Sequence, residues 1–154
     1  MKERSNFRFK QFDIQQNHAA MKVGTDGVLL GAWAHAIKPT SILDIGTGTG
    51  LIALMLAQRY PKANVTGVEM DKKACVDAQA NFDRATFSKR LKLIHDKIQH
   101  VDVGLGYDLI VSNPPFFQNG LQTPDDRRTN ARHTTELTYF DLIKSVNRLL
   151  SKNG

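Results

Sequence analysis

Residues 43–51, Leu-Asp-Ile-Gly-Thr-Gly-Thr-Gly-Leu, do most to limit the folds open to this chain. An apolar run that reads as a strand breaks into three glycines within five residues, and an apolar pattern of helical period resumes at Leu51. Glycine tolerates positive φ and lets another group approach the main chain, so a turn this rich in it suits a place where backbone meets ligand. Alone, the turn is weak evidence, since it also serves as a plain strand–helix corner. Glu69, which ends the next apolar run about 20 residues on, adds weight, because a carboxylate there can accept two hydrogen bonds from a ribose diol. The pattern is GxGxG rather than GxGxxG, which weighs against a dehydrogenase, and no GxxxxGK[ST] is present to cradle a nucleoside triphosphate.

The rest of the chain repeats the same alternation. Ser41 to Ile45, Asn64 to Val68, Leu91 to Ile94 and Tyr107 to Val111 read as short apolar strands. Between them, Leu51 to Tyr60 reads as a helix stopped by Pro61, and Asp71 to about Phe82 as a helix that Asp71 can cap. Ahead of the first strand, Thr25 to Ala34 places a capping residue before an apolar helical pattern that ends at Lys38-Pro39. Phe7 to Gln16 alternates as an extended or hairpin segment, and Thr138 to Leu150 has apolar positions at helical spacing. Strands separated by helices predict an α/β fold, a mostly parallel Rossmann-like sheet with helices on both faces. Such sheets bind ligands beyond the carboxyl ends of their strands.

At one of those ends stands Asn113-Pro114-Pro115-Phe116. Two prolines fix φ near −65° and donate no N–H, and a residue before proline is held extended, so the backbone is stiff and pre-set. The Asn113 side-chain oxygen and the Pro114 carbonyl can then face one external NH₂ group, and Phe116 offers a flat face to a base. Read alone, the tetrapeptide is as readily a proline-rich loop over a buried phenylalanine.

The formal charge of +6 and pI of about 9.6 favour an anionic partner, of which nucleic acid is the obvious one. Lys2, Arg4, Arg8 and Lys10 interleave with Phe7, Phe9 and Phe12, a mixture that suits a nucleic-acid groove or equally a solvated tail before a strand. Cys75 is the single cysteine, which excludes an intrachain disulfide and a cysteine metal cluster. No apolar run approaches the roughly 18 residues of a membrane span, and no signal-peptide pattern opens the chain. These features predict a soluble cytoplasmic protein with no membrane and no metal partner, a single domain over 1–154 with residues 1–24 as an extended cap segment. They say nothing of oligomeric state.

Asp44 to Gly50, Glu69 and Asn113-Pro114-Pro115-Phe116, in this order and spacing, resemble the motifs of class I S-adenosylmethionine-dependent methyltransferases that act on amino groups. The resemblance implies S-adenosylmethionine as cofactor, with Asp44, Gly46, Gly48 and Gly50 among the residues that bind it and the glycines at its methionine end. It also implies Glu69 on the ribose and Asp96, just past the third strand, accepting from the adenine amino group. Phe9-Lys10-Gln11-Phe12, Met21 to Trp33 and Ala131-Arg132-His133 narrow the likeness, over nearly the whole chain, to the bacterial tRNA1(Val) adenine-N6 methyltransferase family. That family modifies the adenine beside the anticodon and folds the segment ahead of the glycine turn over the cofactor, which implies Lys22, Thr25 and Asp26 near its methionine moiety. A helix cap and a surface lysine are the alternative for those three.

By this resemblance Asn113, Pro114, Pro115 and Phe116 form the catalytic set, holding an adenine of the tRNA anticodon loop while its N6 takes the methyl group. His133 in a polar loop stays outside that set, and Arg127, Arg128 and Arg132 are either phosphate contacts or, with Asp125-Asp126, part of a mixed solvated loop. Protein-glutamine N5 and DNA adenine-N6 methyltransferases share the tetrapeptide chemistry and remain rivals. Ser151-Lys152-Asn153-Gly154 reads as a turn into a further strand, so the C-terminal strands of such a fold are expected to be missing. Impaired stability or activity, or a non-catalytic RNA- or cofactor-binding module, is the corresponding expectation.

Overall fold

A computed structural model describes residues 6–102, 106–114 and 137–154. Two short strands come first, β1 (Asn6–Arg8) and β2 (Asp13–Gln15), paired antiparallel with Phe7 opposite Ile14. The extended or hairpin segment is therefore a hairpin, and its alternation puts Phe12 and Ile14 in the core. Helix α1 (Thr25–Trp33) follows. Its N-cap is Gly24, with no side-chain cap bond, so the capping role read into this stretch falls to a residue that satisfies no N–H by its side chain.

The central sheet is β3 (Ser41–Ile45), β4 (Asn64–Glu69), β5 (Leu91–His95) and β6 (Leu109–Ser112), in the order β5-β4-β3-β6, every pairing parallel. Helix α2 (Leu51–Arg59) joins β3 to β4, α3 (Lys72–Arg84) joins β4 to β5, and α4 (Tyr139–Leu149) lies after β6. Asp71 caps α3 by accepting from Ala74 N, and Thr138 caps α4 by accepting from Asp141 N.

Strand alternation sorts the core into two layers. Ile42, Val65 and Val111 face Leu54, Leu56 and Phe82 on one side of the sheet, while Leu43, Ile45 and Val68 face Val101 and Leu149 on the other. Helices thus cover both faces, as expected. The last strand starts later than its apolar run. Tyr107 makes an isolated bridge to Leu150, and the Asp108 carboxylate accepts from Thr40 N (2.7 Å), Thr40 Oγ1 (2.8 Å) and Ser41 N (3.2 Å), so ladder pairing begins at Leu109.

Arginines that count toward the basic excess hold this frame together. Arg59 donates to the Ala34 and Ala32 carbonyls at the end of α1, and Arg90 donates to the Ala57, Tyr60 and Ala63 carbonyls at the end of α2. Arg148 reaches the Val101 and Ile98 carbonyls. These are side-chain satisfiers of orphan carbonyls at helix ends and turns.

The segment between the hairpin and α1 is strapped to α3. Asp77, 2% exposed, accepts from His18 N, Ala19 N and the His18 ring, each at 2.8 Å. One turn on, Asn81 exchanges bonds with the Gln15 backbone and donates to the Thr49 carbonyl at 2.8 Å, tying the strap to the glycine turn.

Candidate functional site

Because β4 and β5 lie on one side of β3 and β6 on the other, the chain's strand order reverses between β3 and β6. A ligand crevice opens at such a switch point. Ile45 pairs with Ser112, and Ser112 Oγ donates to the Ile45 carbonyl at 3.0 Å, so Gly46 and Asn113 leave the sheet side by side.

The glycine turn takes φ of +69° at Gly46, +57° at Gly48 and +83° at Gly50. Gly46 N and Thr47 N donate to the Val68 carbonyl at 2.9 and 3.0 Å, which seats the turn on the end of β4. A Cβ added at Gly46 or Gly48 would meet nothing within 4 Å, so this stretch of backbone lies open to an approaching group. Thr47 points inward instead, its hydroxyl donating to Asp44 Oδ2 at 2.6 Å.

Asp44 is 1% exposed. Its Oδ2 also accepts from Ala53 N at 3.1 Å, whereas Oδ1 is buried with no partner among the described residues. Burial pushes its carboxyl up to about 6, with Glu69 adding to the rise and the Thr47 and Ala53 bonds opposing it. An unpartnered carboxylate oxygen beneath an open glycine turn fits a ligand that brings a cationic donor, such as the α-ammonium of a methionine moiety.

Glu69 ends β4 with both oxygens oriented: Oε2 accepts from Gly48 N at 2.9 Å and Oε1 from Asp71 N at 2.8 Å. The lone pairs left over can receive two adjacent hydroxyls. Asp96 follows β5, exposed, with Oδ1 accepting from Lys97 N (2.6 Å) and the His100 ring (3.0 Å). Those two bonds, the Lys97 backbone first, hold its carboxyl below the usual range, so it is an acceptor for an amino group at neutral pH.

Asn113 is half-buried, and its Nδ2 lies 3.8 Å from where a Cβ on Gly27 would stand, with Leu51 Cδ2 at 3.3 Å from the same point. The first turn of α1 therefore rests on the corner formed by Asn113 and the start of α2. Thr25 and Asp26 open that turn, and both are exposed, as is Lys22 three residues before. Pro114 is described; Pro115, Phe116, Arg127, Arg128, Arg132 and His133 lie outside the described residues, as do Lys2 and Arg4.

Thr47, Asp77 and Asn81 are site-supporting residues that the sequence did not mark. Gly67 was equally silent, although a Cβ there would sit 2.8 Å from Thr47 Cγ2 and displace the side chain that orients Asp44. Among the described residues no group of three or more His, Cys, Asp or Glu could hold a metal ion, and no helix is long and apolar enough to cross a membrane.

Two carboxyls give stability opposite pH dependences. Asp44 is raised, so the neutral form is favoured by folding, and its contribution is fully present below about pH 4 and lost as pH rises through about 6. Asp77 is lowered: burial alone would raise it, but the His18 side chain and the His18 and Ala19 backbone bonds outweigh that, so its contribution is lost as pH falls through its depressed value. Comparing urea midpoints of wild type and Asp44→Asn from pH 4 to 7.5 isolates the first effect. The wild type is expected to lose about 2.5 kcal/mol relative to the variant over that rise. A constant difference would refute the raised carboxyl.

The family model of the methyltransferase small domain matches residues 18–152. The chain is 51% identical over 148 residues to the tRNA1(Val) (adenine(37)-N6)-methyltransferase of Pedobacter heparinus, across 96% of this chain and 63% of that protein. It is 50% identical over 154 residues to the protein of the same name from Trichodesmium erythraeum, across 97% of this chain and 64% of that one. The chain thus spans somewhat under two thirds of the length of these curated relatives. The glycopeptide N-methyltransferase MtfA, solved in complex with sinefungin, superposes with a TM-score of 0.57 at 16% identity, over 88% of this chain and 49% of that chain, a likeness of fold.

Proposed function

The chain belongs to the methyltransferase small-domain family, and from that premise we propose that it transfers a methyl group from S-adenosylmethionine to the exocyclic N6 of adenine 37 in the anticodon loop of a tRNA. The carrying observation is the Ile45–Ser112 pairing, which sets Asn113 beside the open glycine turn. The names of the half-identical relatives support the substrate.

In this reading Glu69 receives the ribose diol, Asp96 the adenine amino group, and Asp44 Oδ1 the ammonium of the cofactor's methionine end. The bound cofactor supplies an electrophilic methyl on sulfonium. The Asn113 side-chain oxygen and the Pro114 carbonyl accept the two N–H groups of the target adenine, turning its nitrogen lone pair out of conjugation and toward that methyl. When the cofactor is held there, that methyl would pass to the nitrogen with the neutral thioether as leaving group, and the nitrogen would give up one proton to water. Alignment of this kind supplies roughly 7–11 kcal/mol, so no strong general base is required. Phe116 stacks on the displaced base, and the unpaired bases of an anticodon loop keep the cost of displacement low. A tRNA substrate supports a cytoplasmic location.

Incubation with labelled S-adenosylmethionine and separate pools of tRNA, DNA and release-factor protein tests the reading by nucleoside mass analysis. N6-methyladenosine in the tRNA pool is the expected product. Label in the protein pool would overturn it in favour of glutamine methylation.

A further inference from the structure

Away from the β3–β6 crevice, a cavity of about 430 Å³ lies between the β1–β2 hairpin and the end of α3. Arg8 and Lys10 of the hairpin and Arg84 of the helix line it, with Asp13 the one acidic residue of the lining among the described residues. Phe9 and Phe12 supply its apolar surface, their rings stacked with centroids 4.7 Å apart and Phe7 packed on Phe9 at 5.1 Å. Arg8 is aligned by Asp13 across the hairpin register, Nε to Oδ1 at 3.2 Å, and Arg84 by Asn81 Oδ1 at 2.7 Å. Asn81 is also the side chain that donates to the Thr49 carbonyl, so one residue joins the cavity wall to the glycine turn.

We propose that this cavity holds a phosphodiester of the RNA substrate, with the adjoining nucleoside against Phe9, at a point in the strand other than the methylated adenine. The proposal rests on the RNA reading above. Three cations against one carboxylate leave the cavity positive, which selects an anion. An aromatic floor beside those cations selects an anion that carries a flat ring, which inorganic phosphate lacks and a nucleotide supplies. Arg59, Arg90 and Arg148 are taken up by main-chain carbonyls, so the basic excess that can meet phosphate is concentrated in fewer places, and this is one of them.

The test is Lys10→Ala/Arg84→Ala, with Lys62→Ala/Lys152→Ala removing the same charge outside the cavity. Affinity for tRNA and for a short single-stranded oligoribonucleotide is read by anisotropy across a salt series, with thermal melts and S-adenosylhomocysteine binding as checks on folding. The cavity variant is expected to bind both RNAs about tenfold more weakly, with the slope of log affinity against log salt smaller by about 1 to 2. The control pair and cofactor binding should stay near wild type. Wild-type tRNA affinity retained by the cavity variant overturns the site and leaves the tRNA reading standing. A wild type that ignores tRNA but binds the oligoribonucleotide through Lys10 and Arg84 keeps the site and removes the tRNA assignment. Binding of neither RNA by the wild type overturns both. Equal affinity for adenosine monophosphate, lost in the same variant, overturns the polymer assignment in favour of a mononucleotide site.

Discussion

Asn113→Ala is expected to lower single-turnover methyl transfer by about a hundredfold to a thousandfold, the range found when one preorganised polar group is removed from a reacting centre. Cofactor affinity should change by less than about twofold, because no cofactor-facing group is altered. The separation follows from the fold. Gly46, Gly48 and Glu69 are held by β3, β4 and their mutual hydrogen bonds, whereas Asn113 directly follows β6, on the other side of the switch point. Truncation leaves the target NH₂ with one acceptor in place of two, so its lone pair stays conjugated and misaligned at the moment of attack. Folding should be nearly unaffected, since Asn113 is half-buried at a crevice edge and its Nδ2 only brushes the Gly27 position. Rapid-quench rates together with calorimetric titration of S-adenosylhomocysteine give both numbers. Wild-type transfer by the variant would remove Asn113 from the mechanism; equal losses of rate and cofactor affinity would make it a scaffold residue.

What could be read in the sequence was whatever rests on local pattern. Ser41–Ile45 and Leu91–His95 follow from short apolar runs, α3 from its Asp71 cap, and the crevice from a glycine turn and an acidic strand end. Tyr107 was misplaced into a strand because hydropathy does not distinguish a residue that bridges to Leu150 from one that pairs with β3. Asp77 and Asn81 left no signal at all. Both look like solvent-facing polar residues on a helix, yet both are buried, and their partners lie 58 to 66 residues away at Gln15, His18 and Ala19. Charge counting was blind in the same way: +6 on the chain says nothing of which arginines already serve carbonyls. Long-range polar bonds of this sort position the site, and one sequence carries no record of them.

The glycine turn separates binding from folding, and Gly50→Ala is expected to show it by lowering stability about 3 kcal/mol. Roughly 1 kcal/mol comes from holding a side chain at φ +83°, and the rest, within the usual 1–3 kcal/mol, from overpacking. An added Cβ would lie 2.5 Å from Phe82 Cε1 and within 3.3 Å of two further ring atoms. Phe82 is 2% exposed and wedged among α2 and the sheet, so the ring cannot swing aside as a flexible chain end would. The strain reaches the neighbouring Thr49 carbonyl, and through Asn81 the strap at Gln15, so the loss should also appear as easier cleavage of the N-terminal segment. Gly48→Ala is the contrasting case. Its Cβ meets nothing, so stability should fall only by about 1 kcal/mol for the positive φ. That same Cβ fills the approach to the turn, and S-adenosylhomocysteine affinity should drop at least tenfold, on the order of 1.4 kcal/mol. Urea midpoints and calorimetric titration of the two variants should therefore rank oppositely. A Gly50→Ala protein with wild-type stability would mean that the turn is not anchored on Phe82.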